Sequence, residues 1–253
     1  MPLELITVPC LTDNYAYLLH DSASGRSALV DAPAAAPIQA ALDARGWRLS
    51  DILITHHHSD HIDGVAALRA GARVVGAGAD ARRLPPLDLT VADNDTFTLL
   101  GEPCHVIDVP GHTVGHIAFY LPASGYAFTA DTLMGLGCGR LFEGSPAQMW
   151  ASLTRLAALP VDTLICSGHE YTQANARFAL SIDPGNPALT ARVAAITALR
   201  AAGRPTIPVP LSEELATNPF LRAADPAIAA TVGLPGASAA DVFAEVRRRK
   251  DHF

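Results

Sequence analysis

The chain has 253 residues, 18 Lys and Arg against 25 Asp and Glu for a formal charge of -7, and a hydrophobic content of 49%. That length allows one large α/β domain with a small appendage, and the apolar fraction fills a core without covalent staples. The acidic balance excludes a nucleic-acid surface, residues 1–11 lack a cationic start followed by a long apolar stretch, and no run approaches the ~18 apolar residues of a membrane span, so a cytoplasmic protein with no membrane partner is expected.

Short apolar runs punctuated by turn residues predict strands over 3–8, 15–19, 28–30, 52–55, 73–75, 97–100, 105–109, 117–121, 126–129 and 163–166. Helices are expected between some of them, over 37–45, 62–70 and 146–159, the last opening Ser-Pro-Ala-Gln with an N-cap serine, proline at N1 and glutamine at N3. From Tyr171 the pattern turns helical, over 171–180, 187–202 and 239–250, with a Pro-rich link at 204–211. A boundary near 170 follows, dividing a domain over 1–170 from a helical domain over 171–253.

At the end of the 52–55 strand stands Thr55-His56-His57-His58-Ser59-Asp60-His61. In an extended segment alternate side chains share a side, so His56 and His58 can face one metal while His57 points away. Asp60 and His61, at the start of the next helix, can turn toward a second. Imidazole and carboxylate together suit zinc, iron or manganese.

Three further groups lie where a strand gives way to a loop, the place where a rigid scaffold presents functional residues. They are His112 in Pro110-Gly111-His112-Thr113-Val114-Gly115-His116, Asp131 after Phe128-Thr129-Ala130, and His169 in Ser167-Gly168-His169-Glu170. Singly, each reads as an ordinary loop histidine or turn aspartate; their joint order raises them above that.

The string T-H-x-H-x-D-H, followed by G-H-T-x-G-H, D-T and G-H-E, resembles the metallo-β-lactamase superfamily, an αβ/βα sandwich with metals at one edge. The resemblance implies that His56, His58 and His112 hold one metal, that Asp60, His61 and His169 hold the other, and that Asp131 bridges them with a hydroxide. Two divalent ions per chain are expected, zinc first, with iron or manganese as alternatives. Such a pair lowers the pKa of a shared water and steadies the developing oxyanion, so acyl transfer to water is the natural reaction. Asp60 would orient the nucleophile as well as ligate. Asp31, ending the 28–30 strand, is a candidate acceptor for a ligand imidazole N–H, with a turn or cap carboxylate as the other reading.

The metal motif alone names no substrate. Residues 11–15 (LTDNY), 137–144 (GCGRLFEG), 168–172 (GHEYT), 217–222 (TNPFLR) and the Arg247, Lys250, Asp251 and Phe253 pattern narrow the resemblance to glyoxalase II across essentially the whole chain. It implies hydrolysis of S-D-lactoylglutathione to D-lactate and glutathione, the second step of methylglyoxal detoxification; apart from the resemblance, a monomer is expected. It also implies glutathione contacts from Arg140, Phe142, Tyr171, Arg247 and Lys250. An anionic tripeptide is well held by guanidinium forks and an ammonium. Lys250 is the only lysine among 18 cationic residues. The cluster Arg247-Arg248-Arg249-Lys250 would otherwise read as a solvated helix end; Arg247 and Lys250, three apart, share a face, whereas Arg248 and Arg249 are expected in solvent. Core packing is the competing reading for Phe142 and Tyr171. The cysteines Cys10, Cys104, Cys138 and Cys166 form no C-x-x-C pair and read as reduced thiols.

Ala130 stands where this family usually has glycine, Met134 where an aromatic is common, and Ser167 where cysteine is usual. A glutathione persulfide dioxygenase with a single iron is the alternative enzyme, and a non-catalytic metal-binding scaffold the alternative outside catalysis. The full second-metal set and helical tail count against the first, and the unbroken ligand set against the second.

Overall fold

Antiparallel pairing starts the chain: β1 (Glu4–Cys10), β2 (Asn14–Asp21) and β3 (Arg26–Val30) form a meander. After α1 (Ala35–Asp43) the sheet continues in parallel through β4 (Arg48–Leu53), the short helices α2 (Ser59–Ile62) and α3 (Val65–Leu68), β5 (Arg73–Ala77) and β6 (Leu89–Val91). Parallel neighbours need crossovers, and the helices supply them. A second antiparallel set follows: β7 (Thr96–Leu99), β8 (Glu102–Asp108), β9 (Ile117–Leu121) and β10 (Tyr126–Ala130). This computed structural model describes residues 3–253, so the first two residues of the segment read as carrying no leader lie outside it.

Both faces of the first sheet are covered. Ala16, Leu18, Leu29, Ile52 and Ile54 meet Ile38 and Leu42 of α1 and Val65 and Leu68 of α3 in one buried cluster. Tyr17, next in the alternation of β2, turns the other way and meets Phe128 of β10 at 5.6 Å between ring centroids. Because β3, β4 and β5 run the same way, their carboxyl ends share an edge, and Asp31, residues 56–61 and Asp80 follow those three ends.

The chain divides into two compact units, one running to Asp108 with Gly115–Ala130, the other Val109–Val114 with Asp131–Phe253. The second contains the hairpin β11 (Leu133–Met134) and β12 (Gly137–Cys138), α4 (Pro146–Ala157), β13 (Leu164–Ser167), α5 (Thr172–Ile182), α6 (Pro187–Ala201), β14 (Val209–Pro210), α7 (Leu211–Thr217), α8 (Pro226–Thr231) and α9 (Ala239–Asp251). Ser145 and Gln148 cap α4 reciprocally, as the sequence anticipates. Leu136, Ala176, Ala179, Leu189 and Ile196 form the apolar contact between the hairpin, α5 and α6. A buried polar knot ties the same hairpin to α7. Glu214, paired with Arg192, accepts from Leu136 N at 3.0 Å and from Asn218 Nδ2 at 2.8 Å, while Asn218 donates to the Gly137 carbonyl at 3.0 Å.

The structure departs from expectation in places. The helix expected over 62–70 is broken at Gly64, whose N–H reaches Ala32 O at 2.8 Å so closely that a Cβ would sit 2.9 Å from that oxygen. Arg249, expected in solvent, donates to the carbonyls of Thr231 at 3.2 Å and Val232 at 2.7 Å, closing the carboxyl end of α8; Arg248 is exposed and paired with Glu245. All four cysteines are free and buried, and loss of water pushes the Cys10 thiol up to about 11 and raises the other three. Among the described residues no helix is long and apolar enough to cross a membrane.

Candidate metal centre

Asp31 organises the candidate ligands of the first unit. Its left-handed backbone, φ 55°, turns the carboxylate back under the 55–61 loop, where Oδ1 accepts Thr55 N at 2.9 Å. Oδ2 accepts both the Thr55 hydroxyl and His61 Nδ1, each at 2.8 Å. A hydroxyl has one proton, and that of Thr55 is spent on Asp31. The 3.0 Å contact between Thr55 Oγ1 and His56 Nδ1 is therefore donated by the imidazole. One carboxylate thus fixes two tautomers, leaving Nε2 of His56 and of His61 as lone pairs. The ligand atoms of Asp31, His56 and His61 lie within 4.8 Å of one another. His56 Nε2 lies 3.1 Å from His58 Nδ1, and His61 Nε2 lies 3.9 Å from Asp60 Oδ2. His57 turns instead to Asp80, at 3.1 Å.

Asp60 is itself held. Asn14, 4% exposed at the start of β2, donates Nδ2 to both the carboxylate and the carbonyl of Asp60 at 3.0 Å. Neither Asn14 nor Thr55 is assigned a role by the sequence reading; their only signal is membership of the LTDNY and T-H-x-H strings.

The second unit repeats the arrangement. The Arg140 carbonyl takes the proton of His112 Nδ1 at 2.8 Å, so Nε2 is a lone pair, and it faces Asp131 Oδ2 at 3.3 Å. His169 Nε2 faces the same oxygen at 3.3 Å. In the neutral imidazole that lone pair set against a carboxylate is repulsive, and a proton or a metal cation between them relieves it. Imidazole with carboxylate is the donor set of zinc, iron and manganese, so these residues fit a metal. Asp131 is crowded into place: a Cβ on Gly139 would lie 1.9 Å from the Asp131 carbonyl, and Thr132 Oγ1 donates to Val109 O at 3.1 Å. Ala130, just before it, has φ 39°, a conformation glycine takes freely and alanine does not, which accounts for the family's usual glycine there.

The residues expected to hold glutathione all belong to this second unit. Phe142 N–H donates to the His112 carbonyl at 3.2 Å, interlocking the 140–144 loop with that histidine; its ring is 61% exposed. Arg140 is open, its guanidinium carbon 6.0 Å from that ring. Tyr171 stacks on His169 at 4.6 Å with 6° between planes, and the intervening Glu170 is anchored by Thr206. Lys250 is half-buried, Nζ 5.2 Å from the Phe178 ring and 5.6 Å from that of Phe253. Loss of water, then the neighbouring Arg247 and Arg177, lower its pKa. Arg247 differs: only 5% exposed, it spends Nη1 on the Cys138 carbonyl at 3.0 Å and Nη2 on Asp251 at 2.8 Å. The pair is therefore not two equal cations on one open face.

Asp31→Ala is expected to weaken metal retention about 10- to 100-fold, the usual consequence of removing a group that orients ligand imidazoles. Dialysis against graded chelator measures this, and parental retention would refute the assignment.

Comparisons agree with this geometry. Residues 12–169 match the family model of the metallo-beta-lactamase superfamily, and residues 170–253 that of the hydroxyacylglutathione hydrolase C-terminus. The hydroxyacylglutathione hydrolase of Ruegeria pomeroyi is 66% identical, with 100% of both chains covered; those of Cereibacter sphaeroides and Fuscovulum blasticum are 64% and 62% identical over the same extent. Among solved structures, ETHE1 from Myxococcus xanthus aligns with TM-score 0.69 and 25% identity over 99% of this chain and 92% of that one. TTHA1623 in a di-iron-bound form aligns at 0.56 and 28% over 66% and 91%. The fold is thus the metallo-β-lactamase fold with a helical C-terminal extension, and the chain belongs to the hydroxyacylglutathione hydrolase family of the metallo-β-lactamase superfamily.

Proposed function

We propose that this chain hydrolyses S-2-hydroxyacylglutathione thioesters, releasing D-lactate and glutathione from S-D-lactoylglutathione. What carries the reading is full-length similarity to hydroxyacylglutathione hydrolases in a chain whose every expected ligand position is filled. His56, His58 and His112 would hold one divalent ion and Asp60, His61 and His169 the other, with Asp131 between them. The fixed tautomers of His56, His61 and His112 support these assignments. Zinc is the proposed metal, and the di-iron form of TTHA1623 keeps iron as its rival. The ions would supply hydroxide at neutral pH and offset charge developing on the thioester oxygen.

The chain's own residues do the rest. Asp60, steered by Asn14, orients the attacking water, takes the proton it loses and passes it to the glutathione sulfur as the thioester C–S bond breaks. Arg140 and Lys250 bind glutathione carboxylates, Phe142 and Tyr171 pack against its stem, and Arg247 holds the Cys138 and Gly139 carbonyls that precede Arg140. A catalytic region over 1–170, a glutathione-binding region over 171–253, a monomeric state and a cytoplasmic location belong to the same proposal.

Metal analysis of the purified protein, run beside S-D-lactoylglutathione hydrolysis, tests it. About two ions per chain, as a two-metal site requires, and hydrolysis without oxygen uptake are expected. Oxygen consumption with glutathione persulfide, faster than thioester cleavage, would favour a dioxygenase instead.

A further inference from the structure

His57 stands between two proposed ligands and has no role so far. In an extended segment neighbouring side chains face opposite ways, so whatever grips His57 sets the roll of the segment and the aim of His56 and His58. The grip is a closed ring of hydrogen bonds. Asp80, 4% exposed at the end of a 3-10 turn after β5, accepts Arg83 Nε on Oδ1 at 2.6 Å. Its Oδ2 lies 3.1 Å from His57 Nδ1, and Arg83 Nη1 lies 3.3 Å from His57 Nε2. A guanidinium only donates and a carboxylate only accepts, so the ring closes in one way: His57 neutral, proton on Nδ1, lone pair on Nε2.

The same carboxylate abuts the loop that leads into β9. A Cβ on Gly115 would meet Asp80 Cγ at 2.6 Å and Oδ2 at 2.8 Å, so only glycine admits it there. The next residue, His116, is 1% exposed and stacks on His56 with ring centroids 4.6 Å apart and 13° between planes. Asp80 therefore bears on His56 from two directions, through the roll of its own segment and through the backbone behind the ring stacked on it.

We propose that Asp80, acting through His57 and braced by Arg83, is a positioning residue that aims His56 and His58 and so sets how firmly this site keeps its metal. The inference rests on the proposed ligand assignments. Its test uses the full-length, zinc-loaded protein and the rate of metal transfer to a chelating dye. Asp80→Asn and Arg83→Gln are each expected to release metal on the order of tenfold faster, the lower end of what groups orienting ligands contribute. The unfolding midpoint of the metal-free protein should stay close to that of the parent. Gly115→Ala, whose methyl displaces the Asp80 carboxylate without removing a bonding group, should act likewise, and Arg83→Lys should recover part of the loss.

Release at the parental rate in both Asp80→Asn and Arg83→Gln overturns the proposal. Faster release that merely parallels a loss of metal-free stability also overturns it, because the ring would then be structural. Should Asp80→Asn fail to fold, NMR correlation spectra of the unaltered protein decide: a slowly exchanging proton on His57 Nδ1 supports the ring, and a proton on Nε2 or an averaging ring refutes it. A parent that binds no metal would instead bring down the proposed function, a result distinct from parental release rates in the variants.

Discussion

Asp131→Ala is expected to lose both metals together and with them at least about 10^3-fold in kcat/KM, since removing a single oxyanion-stabilising donor already costs ~10^2 to 10^3 in kcat. The geometry behind this is one carboxylate oxygen facing two imidazole nitrogens, His112 Nε2 and His169 Nε2, each at 3.3 Å. Truncation to alanine leaves two imidazole nitrogens without the charge they share. Metal content should fall below one ion per chain, as measured by elemental analysis after gel filtration. Folding should survive, because the backbone around Asp131 is fixed by its neighbours rather than by its side chain. Thr132 anchors to Val109 O at 3.1 Å, and Gly139 packs directly on the Asp131 carbonyl. Normal occupancy in the variant would remove Asp131 as the bridge.

The second large effect separates two cations that the sequence presents as a pair. Arg247→Ala should destabilise the protein by about 3 kcal/mol, the scale of a buried charge-assisted hydrogen bond whose carbonyl partners are left unmet. It should lower the unfolding midpoint and raise KM together. Lys250→Ala should leave the midpoint nearly unchanged and raise KM roughly tenfold, a loss of uniform binding energy. Binding a carboxylate needs the ammonium form of Lys250. With its pKa lowered by loss of water and by Arg247 and Arg177, KM for the glutathione thioester should climb with rising pH before the ordinary lysine range is reached. In Lys250→Ala that limb should vanish, and a small thioester without glutathione carboxylates should never show it. Equal KM changes on both substrates would count against a glutathione contact at Lys250.

Much of this was legible in the sequence because chemistry and pattern coincide there. The runs over 117–121 and 126–129 match β9 and β10 within a residue, since both are continuous apolar segments bounded by turns. The Ser145 capping box sets the start of α4 outright. Other elements had no such signal. β6, β11, β12 and β14 have two or three residues, too few for any period to show, and exist because partners lie beside them. α7 and α8 are short helices held by tertiary bonds, Glu214 to the hairpin in one case and Arg249 across the end in the other. In the candidate site, ligand types and order could be read directly. The roles of Asn14, Thr55 and Asp80 could not, because each acts on a residue 46, 24 or 23 positions away, or, for Thr55, on its immediate neighbour as well.

Ala130 shows what such local constraint does to the free chain. An alanine at φ 39° sits where its methyl crowds its own backbone, at a cost of roughly 1 to 2 kcal/mol that the surrounding strand must offset. Glycine would relieve that strain yet bring more conformational freedom to the unfolded and partly opened chain. The methyl biases the free chain away from φ 39°, so the direction in which Asp131 projects is imposed by the folded surroundings of Ala130 and is lost wherever those surroundings open.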